Sequence, residues 1–284
     1  MWYLRAMSRL AVVHEGVTLV GDVTGEGPTL LLLHGWPDTS ALWREVTPHL
    51  VAEGYRVVTV DLRGCGASDK PRDVAAYAMT HLVGDVAAVL DALGGAPVTL
   101  VGHDWGASLA WVVAAWHPEL VERLVVLSVG HPSAFRAAGV AQQARSWYAL
   151  LFAQEGLGER FLRHHDYDAM RHWLGHPRVE EIIAELERDG QMTTHLLWYR
   201  ANLPPDAFLR DAPTLPPIVA PTRGLWSSGD VALTEGQMID SAPYCANGFI
   251  YRRLEGLGHW MAIEDPGRVA EEIVAGSPSR GRKH

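Results

Sequence analysis

Val98-Thr-Leu-Val-Gly-His-Asp104-Trp-Gly-Ala107 is the stretch whose reading decides the fold. Its first four residues form a short β-branched and leucine run of the kind buried on both faces of a parallel sheet. The run ends in Gly-x-Asp-x-Gly, and a helical period follows, with Leu109, Val112, Val113 and Trp116 at three- and four-residue steps. Gly102 and Gly106 permit a tight strand-to-helix turn that lifts the side chain between them above the sheet. A serine there would signal an esterase or lipase. An aspartate changes the chemistry, because a carboxylate can attack an sp³ carbon and form an ester but is poorly suited to cleaving amides or esters. The helix N-terminus beneath Asp104 favours its ionised form. Taken alone, the same aspartate also reads as an ordinary helix cap.

Outward from this turn, the chain alternates. Thr29–Leu33, Arg56–Asp61 and Arg123–Ser128 are further short apolar runs, and Leu82, Val83, Val86, Val89, Leu90 and Leu93 form a helical stripe ended by Gly94-Gly95. Strand–helix alternation predicts an α/β fold with a mostly parallel sheet flanked by helices. After Pro132 no strand-like run occurs until about Pro217, and prolines at 213, 216 and 217 close the segment. Alternation then resumes with a strand at Thr222–Trp226, a helix near 234–245, a strand at Phe249–Leu254 and a last helix at about 266–275 opened by Pro266. The expected organisation is a core in two parts, 8–131 and 218–276, a helical insertion at 132–217, and a disordered tail at 277–284. Arg223 is out of place in a strand that should be buried.

Two residues downstream give Asp104 partners. Asp230 ends the strand Leu225-Trp-Ser-Ser-Gly-Asp230, and His259 lies in the glycine-rich loop Leu254-Glu-Gly-Leu-Gly-His259-Trp260. The order nucleophile, acid, base is that of the α/β-hydrolase triad, and all three fall at carboxyl ends of strands, where open α/β sheets bind ligands. His34-Gly35-Trp36-Pro37-Asp38 follows another buried strand, so the backbone N–H groups of Trp36 and Trp105 can converge on a developing oxyanion. His34 reads as a loop brace. Asp61-Leu-Arg-Gly-Cys-Gly-Ala-Ser68 lacks the third glycine of a dinucleotide loop and reads as a structural turn. His164-His165-Asp166 and the His172/His176 pair lack the glutamate of a metal-binding motif and read as surface histidines. No metal or cofactor is called for.

Composition narrows the class. The 284 residues carry a net charge of −9, which argues against nucleic acid as a partner. Cys65 and Cys245 match no disulfide framework or metal spacing and are expected to be free thiols in a reducing compartment. No apolar run approaches the roughly 18 residues of a membrane span. Met1–Met7 shows no signal-peptide pattern, and Met7 is a second candidate start. The expectation is a cytoplasmic protein without membrane association, its oligomeric state unspecified. Eleven tryptophans stand against five phenylalanines, and five of them (Trp36, Trp105, Trp147, Trp198, Trp260) adjoin candidate site residues, which suggests an aromatic-lined pocket.

His34-Gly-Trp-Pro37, Asp61-Leu-Arg-Gly-Cys-Gly66, Gly102-His-Asp-Trp-Gly106, the Gly229-Asp230 turn and Gly258-His-Trp260 together resemble epoxide hydrolases of the α/β-hydrolase fold and, less closely, the dehalogenases of that fold. The resemblance runs from about residue 10 to 275. It implies a helical cap at the insertion and a small apolar epoxide and water as reactants. It also implies two cap tyrosines that donate to the epoxide oxygen. Ser146-Trp-Tyr148 and Leu197-Trp-Tyr199 match the segments that carry them. Tyr148 and Tyr199 also fit the alternative of amphipathic helix packing. The competing expectation is hydrolytic dehalogenation by the same aspartate, with Trp105 or Trp147 as halide donors. The asparagine many haloalkane dehalogenases carry at the place of Trp36 and the arginine that haloacetate dehalogenases carry at the place of Trp105 are absent.

Overall fold

The computed structural model of the protein describes residues 7–211 and 214–276; Pro213 and the tail expected at 277–284 lie outside them. The strands are β1 (Ser8–His14), β2 (Val17–Thr24), β3 (Thr29–Leu33), β4 (Arg56–Asp61), β5 (Val98–His103), β6 (Val121–Leu127), β7 (Thr222–Gly229) and β8 (Phe249–Gly258). They form one sheet in the order β1-β2-β4-β3-β5-β6-β7-β8. The pairings from β4 through β3 to β8 are all parallel. β2 pairs antiparallel with both β1 and β4.

The parallel strands form where the sequence is continuously apolar. Leu30–Leu33, Leu100, Val101 and Leu124–Leu127 are all but inaccessible, each contributing about 1.5–3 kcal/mol by burial. The helices Met79–Ala92 and Trp105–Trp116 bury their stripes in one cluster of core residues. Val46, Leu50, Val269 and Ile273, from the helices Val46–Ala52 and Pro266–Val274, bury theirs in the other.

The β1–β2 hairpin is absent from the sequence reading. β2 buries only alternate residues and so lacks a continuous apolar run, and the turn is made by Glu15 and Gly16, both at positive φ. The helix expected near 234–245 is shorter, Glu235–Ile239 followed by a 3₁₀ turn at Ala242–Tyr244. Pro243 lacks the N–H needed to continue it. β8 extends to Gly258 and so carries the chain to His259. Arg223 is buried because its guanidinium pairs with Glu272 of the last helix and donates to the Ala275 carbonyl.

Between Pro132 and Asn202 the described chain is helical, in short pieces. This insertion is not a separate ball. Tyr148, Phe152, Leu162, Leu186, Leu196 and Tyr199 belong to the same cluster as Leu30, Leu32 and Trp260 of the core. His172 is exposed as expected. His176 is not: it is 4% exposed and wedged against the core, a correction to its reading as a surface residue.

Candidate active site

Asp104 follows β5 and precedes the helix Trp105–Trp116, with φ 52° and ψ −120°. A left-handed conformation at a non-glycine residue is strained and persists only where its surroundings enforce it. Here they do. A Cβ on Gly102 would sit 2.3 Å from the Gly106 carbonyl oxygen, and one on Gly106 would sit 2.4 Å from the carbonyl oxygens of Leu33 and His34. The two glycines therefore let β5, the helix and the β3 loop approach closely enough to raise Asp104.

The Trp36 N–H donates to Asp104 Oδ1 at 2.7 Å, and the Trp105 N–H also bonds to the carboxylate. These are the two amides expected to form the oxyanion site. His34 holds their loop: Nε2 accepts from the Leu62 N–H at 3.0 Å and Nδ1 donates to the Gly35 carbonyl at 3.0 Å. Asp61 ties its own turn to the loop after β3, accepting from the Ala67 and Ser40 N–H groups at 2.8 Å.

His259 Nδ1 donates to Asp230 Oδ2 at 2.8 Å, and Nε2 lies 3.8 Å from Asp104 Oδ2. Asp230 Oδ1 accepts from the Ala232 and Leu233 N–H groups at 2.9 Å. Burial opposes charge on all three residues. It raises the pKa of Asp104 despite the opposing effects of His259 and the two amides. At His259 burial is overridden by Asp230 and then Asp104, which raise the imidazole to about 9. At Asp230 burial is overridden by His259 and the two amides, which hold the carboxyl below its usual value.

Two spaces meet at Asp104. The larger is a cavity of about 280 Å³ lined by Asp104, Trp105, Tyr148 and Tyr199, with an otherwise largely apolar wall that includes Val112, Val129, Leu203 and Leu233. The smaller, about 20 Å³, is lined by Asp104, His259, Trp36, Tyr148, Trp173 and Trp260. That is room for a single water molecule. Tyr148 and Tyr199 are buried, their rings edge-to-face at 6.1 Å, and Tyr199 stands edge-on to Trp105 at 5.1 Å. Burial, and then nearby negative charge including that of Asp104, pushes both phenols well above their usual pKa, so both keep their protons.

The structure thus gathers Asp104, Asp230, His259, Tyr148, Tyr199, Trp36 and Trp105. It does not bring Trp147 there: that ring is 40% exposed and stacks among Tyr148, Phe161 and Trp173. Four residues at the site escaped the sequence reading. Asp38 accepts from Trp260 Nε1 at 2.9 Å and from His176 Nε2 at 3.2 Å, and the Trp260 ring stands edge-on to His259 at 4.9 Å. Gln142 donates to the Ala232 carbonyl and accepts from the Thr234 N–H, while Arg145 donates to the carbonyls of Asp230 and Leu233. Asp38 closes the segment His34-Gly-Trp-Pro-Asp38, where nothing local marks it as a partner of Trp260 and His176. Nothing in a helical sequence marks Gln142 and Arg145 as partners of a loop some 90 residues away.

A sequence model of the alpha/beta hydrolase fold family matches residues 28–211. Epoxide hydrolase 3 of Xenopus tropicalis is 30% identical over 263 residues, 87% of this chain and 70% of that protein. The chain belongs to the epoxide hydrolases of the α/β-hydrolase family. Another α/β hydrolase, the AB hydrolase superfamily protein YfhM of Bacillus subtilis, is 29% identical over 274 residues, covering 92% of this chain and 94% of its own. The crystal structure of epoxide hydrolase A from Mycobacterium thermoresistibile superposes with a TM-score of 0.77 at 26% identity, covering 95% and 97% of the two chains. The family match ends at residue 211, before Asp230 and His259, so the geometry above is what joins those two residues to Asp104.

Proposed function

We propose that this α/β hydrolase converts an epoxide to a vicinal diol through an ester on Asp104, with residues 132–217 acting as a cap over the core. The observation that carries the reading is the placement of Asp104 between two spaces. On one side it faces a large apolar cavity with two protonated phenols; on the other it faces a water-sized cavity with the imidazole of His259.

In the first step a carboxylate oxygen of Asp104 attacks a ring carbon and the C–O bond of the epoxide breaks. Tyr199 and Tyr148 donate to the departing oxygen, which a neutral epoxide needs because an alkoxide is otherwise a poor leaving group. In the second step His259, oriented by Asp230, takes a proton from water in the small space. The water attacks the ester carbonyl of Asp104, and the Trp36 and Trp105 amides hold the oxyanion; the tetrahedral intermediate then collapses, the acyl C–O bond breaks, and the departing diol oxygen takes back the proton held by His259, restoring the Asp104 carboxylate. The Asp104 charge is among the causes that raise the His259 pKa. Ester formation removes that charge and so lowers the imidazole pKa, leaving His259 a base when water must be activated.

Single turnover in ¹⁸O-water tests the nucleophile, with label expected in Asp104 after hydrolysis of the ester. Diol release with an unlabelled Asp104 would overturn the ester route. One observation favours a second reading: the Trp36 indole N–H, the kind of donor a halide ion would use, is buried with no partner among the described residues, and Trp36 and Asp104 share the lining of the small space. Hydrolytic dehalogenation predicts halide release from a haloalkane at a rate comparable with diol formation. Halide-free diol formation excludes it.

A further inference from the structure

The core turn at 61–68 meets the helix Gln191–Asn202 of the insertion along a single line of hydrogen bonds. The turn is held from the core side. Gly64 and Gly66 are at positive φ, and a Cβ would sit 2.6 Å from the Tyr77 hydroxyl at Gly64 and 2.2 Å from an Asp61 carboxylate oxygen at Gly66. The Arg63 guanidinium, 3% exposed, donates to both oxygens of Asp85 at 2.7 and 2.8 Å. On the other side, Thr194 Oγ1 donates to the Gly64 carbonyl at 2.6 Å and Trp198 Nε1 to the Arg63 carbonyl at 3.0 Å, while Gln191 Oε1 accepts from the Gly66 N–H at 2.6 Å. One turn further along the helix, Asn202 donates to the Tyr77 carbonyl at 2.8 Å. Steps of three, four and four residues put these side chains on one helix face. Gln191, Thr194 and Trp198 are buried. Tyr199, next to Trp198, stands edge-on to Trp105 at 5.1 Å and to Trp36 at 6.1 Å.

We infer that Gln191, Thr194 and Trp198 are positioning residues for the opening of the epoxide: bonded to the turn, they fix the roll of their helix and with it the place of the Tyr199 hydroxyl in the cavity it shares with Asp104. This rests on the reading of Tyr199 as a donor to the departing oxygen. Apolar contact is non-directional, so the rings around Tyr199 confine it without fixing its angle about the helix axis. Hydrogen bonds weaken steeply when bent, and three of them to peptide groups of one braced turn leave the helix a single orientation. A proton donor must come within ~2.6–3.2 Å of its acceptor, so a small roll takes the phenol out of reach while leaving it buried. Asp104, Asp230 and His259 take their hydrogen bonds from other groups. The second step is therefore spared.

Thr194→Val removes the hydroxyl at nearly constant shape, and Trp198→Phe removes the indole N–H while keeping an aromatic ring. Rapid-quench measurement of the two half-reactions with styrene oxide and 1,2-epoxyhexane, well below each variant's unfolding temperature, reads the result. Ester formation is expected to slow about tenfold in either variant, with ester hydrolysis within about twofold of the parent, since misplacement of a reacting group by a fraction of an ångström costs on that scale. Thr194→Ser keeps the donor and should react like the parent. In a Tyr199→Phe background the same substitutions should add less than about twofold, because no hydroxyl is left to misplace. Ester formation unchanged in both variants would overturn the inference. So would slowing that is equal in the two steps, or that persists in full in the Tyr199→Phe background, since either marks a merely structural contact. The two variants break different bonds, so one decides the matter if the other does not fold. If Tyr199→Phe alone leaves ester formation unchanged, or the parent forms no ester from either epoxide, the premise about Tyr199 fails and the inference falls with it. If Tyr199→Phe slows the step and the other two variants do not, the premise stands and the inference alone fails.

Discussion

The strand ends of the core and the helical insertion contribute to the same site by different means. Each triad carboxylate is fixed by backbone: Asp104 by the amides of Trp36 and Trp105, Asp230 by those of Ala232 and Leu233. The insertion's Tyr148 and Tyr199 are seated instead by rings, among Trp36, Trp105, Phe152 and Trp173. A buried charge needs dipoles that do not move, because unpaired it costs several kcal/mol. A neutral phenol needs shape and exclusion of water. The core is therefore built for charge and the insertion for fit, and substitutions on the two sides should fail differently.

The largest effect belongs to the core. Asp104→Ala is expected to reduce steady-state turnover by about 10⁴-fold or more with the cooperative unfolding transition retained, read by diol formation and by calorimetry. Turnover within tenfold of the parent would remove Asp104 from the mechanism. Next, His259→Gln should block the second half-reaction alone, so that intact-mass analysis finds the alkyl ester accumulating to about one per chain; an unmodified Asp104 after incubation with epoxide would count against the assignment. In the unsubstituted protein, ester hydrolysis should rise with pH as His259 loses its proton. Its midpoint should fall below the value of about 9 that holds while Asp104 is charged. A midpoint at or above 9 would break the argument that ester formation releases the base.

On the insertion side, Tyr199→Phe should slow ester formation by about 10²-fold, the usual scale of a lost general acid, leaving ester hydrolysis nearly untouched; rapid-quench measurement separates the two. Equal slowing of both steps would mean that Tyr199 acts through packing. His176→Phe is a smaller test, because it cuts one hydrogen bond to Asp38 while Trp260 keeps the other. A loss of about tenfold, confined to hydrolysis, is expected, since the strain passes through Trp260 to His259. The smallest effect is reserved for Trp147→Ala. Its ring lies outside the two cavities, which predicts activity within about twofold of the parent, while the loss of its packing against Phe161 and Trp173 should lower stability by about 1–3 kcal/mol.

Particular residues show what the sequence makes legible and what it does not. Gly102 and Gly106 bracket Asp104 because no Cβ fits where β5, its helix and the β3 loop touch, and a steric requirement of that kind shows in the sequence as glycines at short spacing within one segment. The continuous apolar runs of β3, β5 and β6 reveal strands buried on both faces. β2, buried on one face, does not. His34 reads correctly as a brace because its hydrogen bonds go to its own loop and the neighbouring turn. His176 does not, because its partner is Asp38, 138 residues away. Trp147 fails for a related reason: adjacency to Tyr148 in sequence puts the two on different faces of a helix.

By itself the sequence determined the sheet's parallel heart, the strand-to-helix turn that exposes an aspartate, and the order in which Asp104, Asp230 and His259 occur at strand ends. All of these follow from local rules, namely apolar runs, glycine where a Cβ cannot go, and residues at strand ends. Only the tertiary structure decided that the aspartate stands between a substrate-sized and a water-sized space. It alone joined Asp38, Gln142, Arg145 and His176 to Asp104, Asp230 and His259. Those facts depend on which surfaces meet when the insertion closes over the sheet, and contacts across a hundred residues leave no periodicity for a single sequence to display.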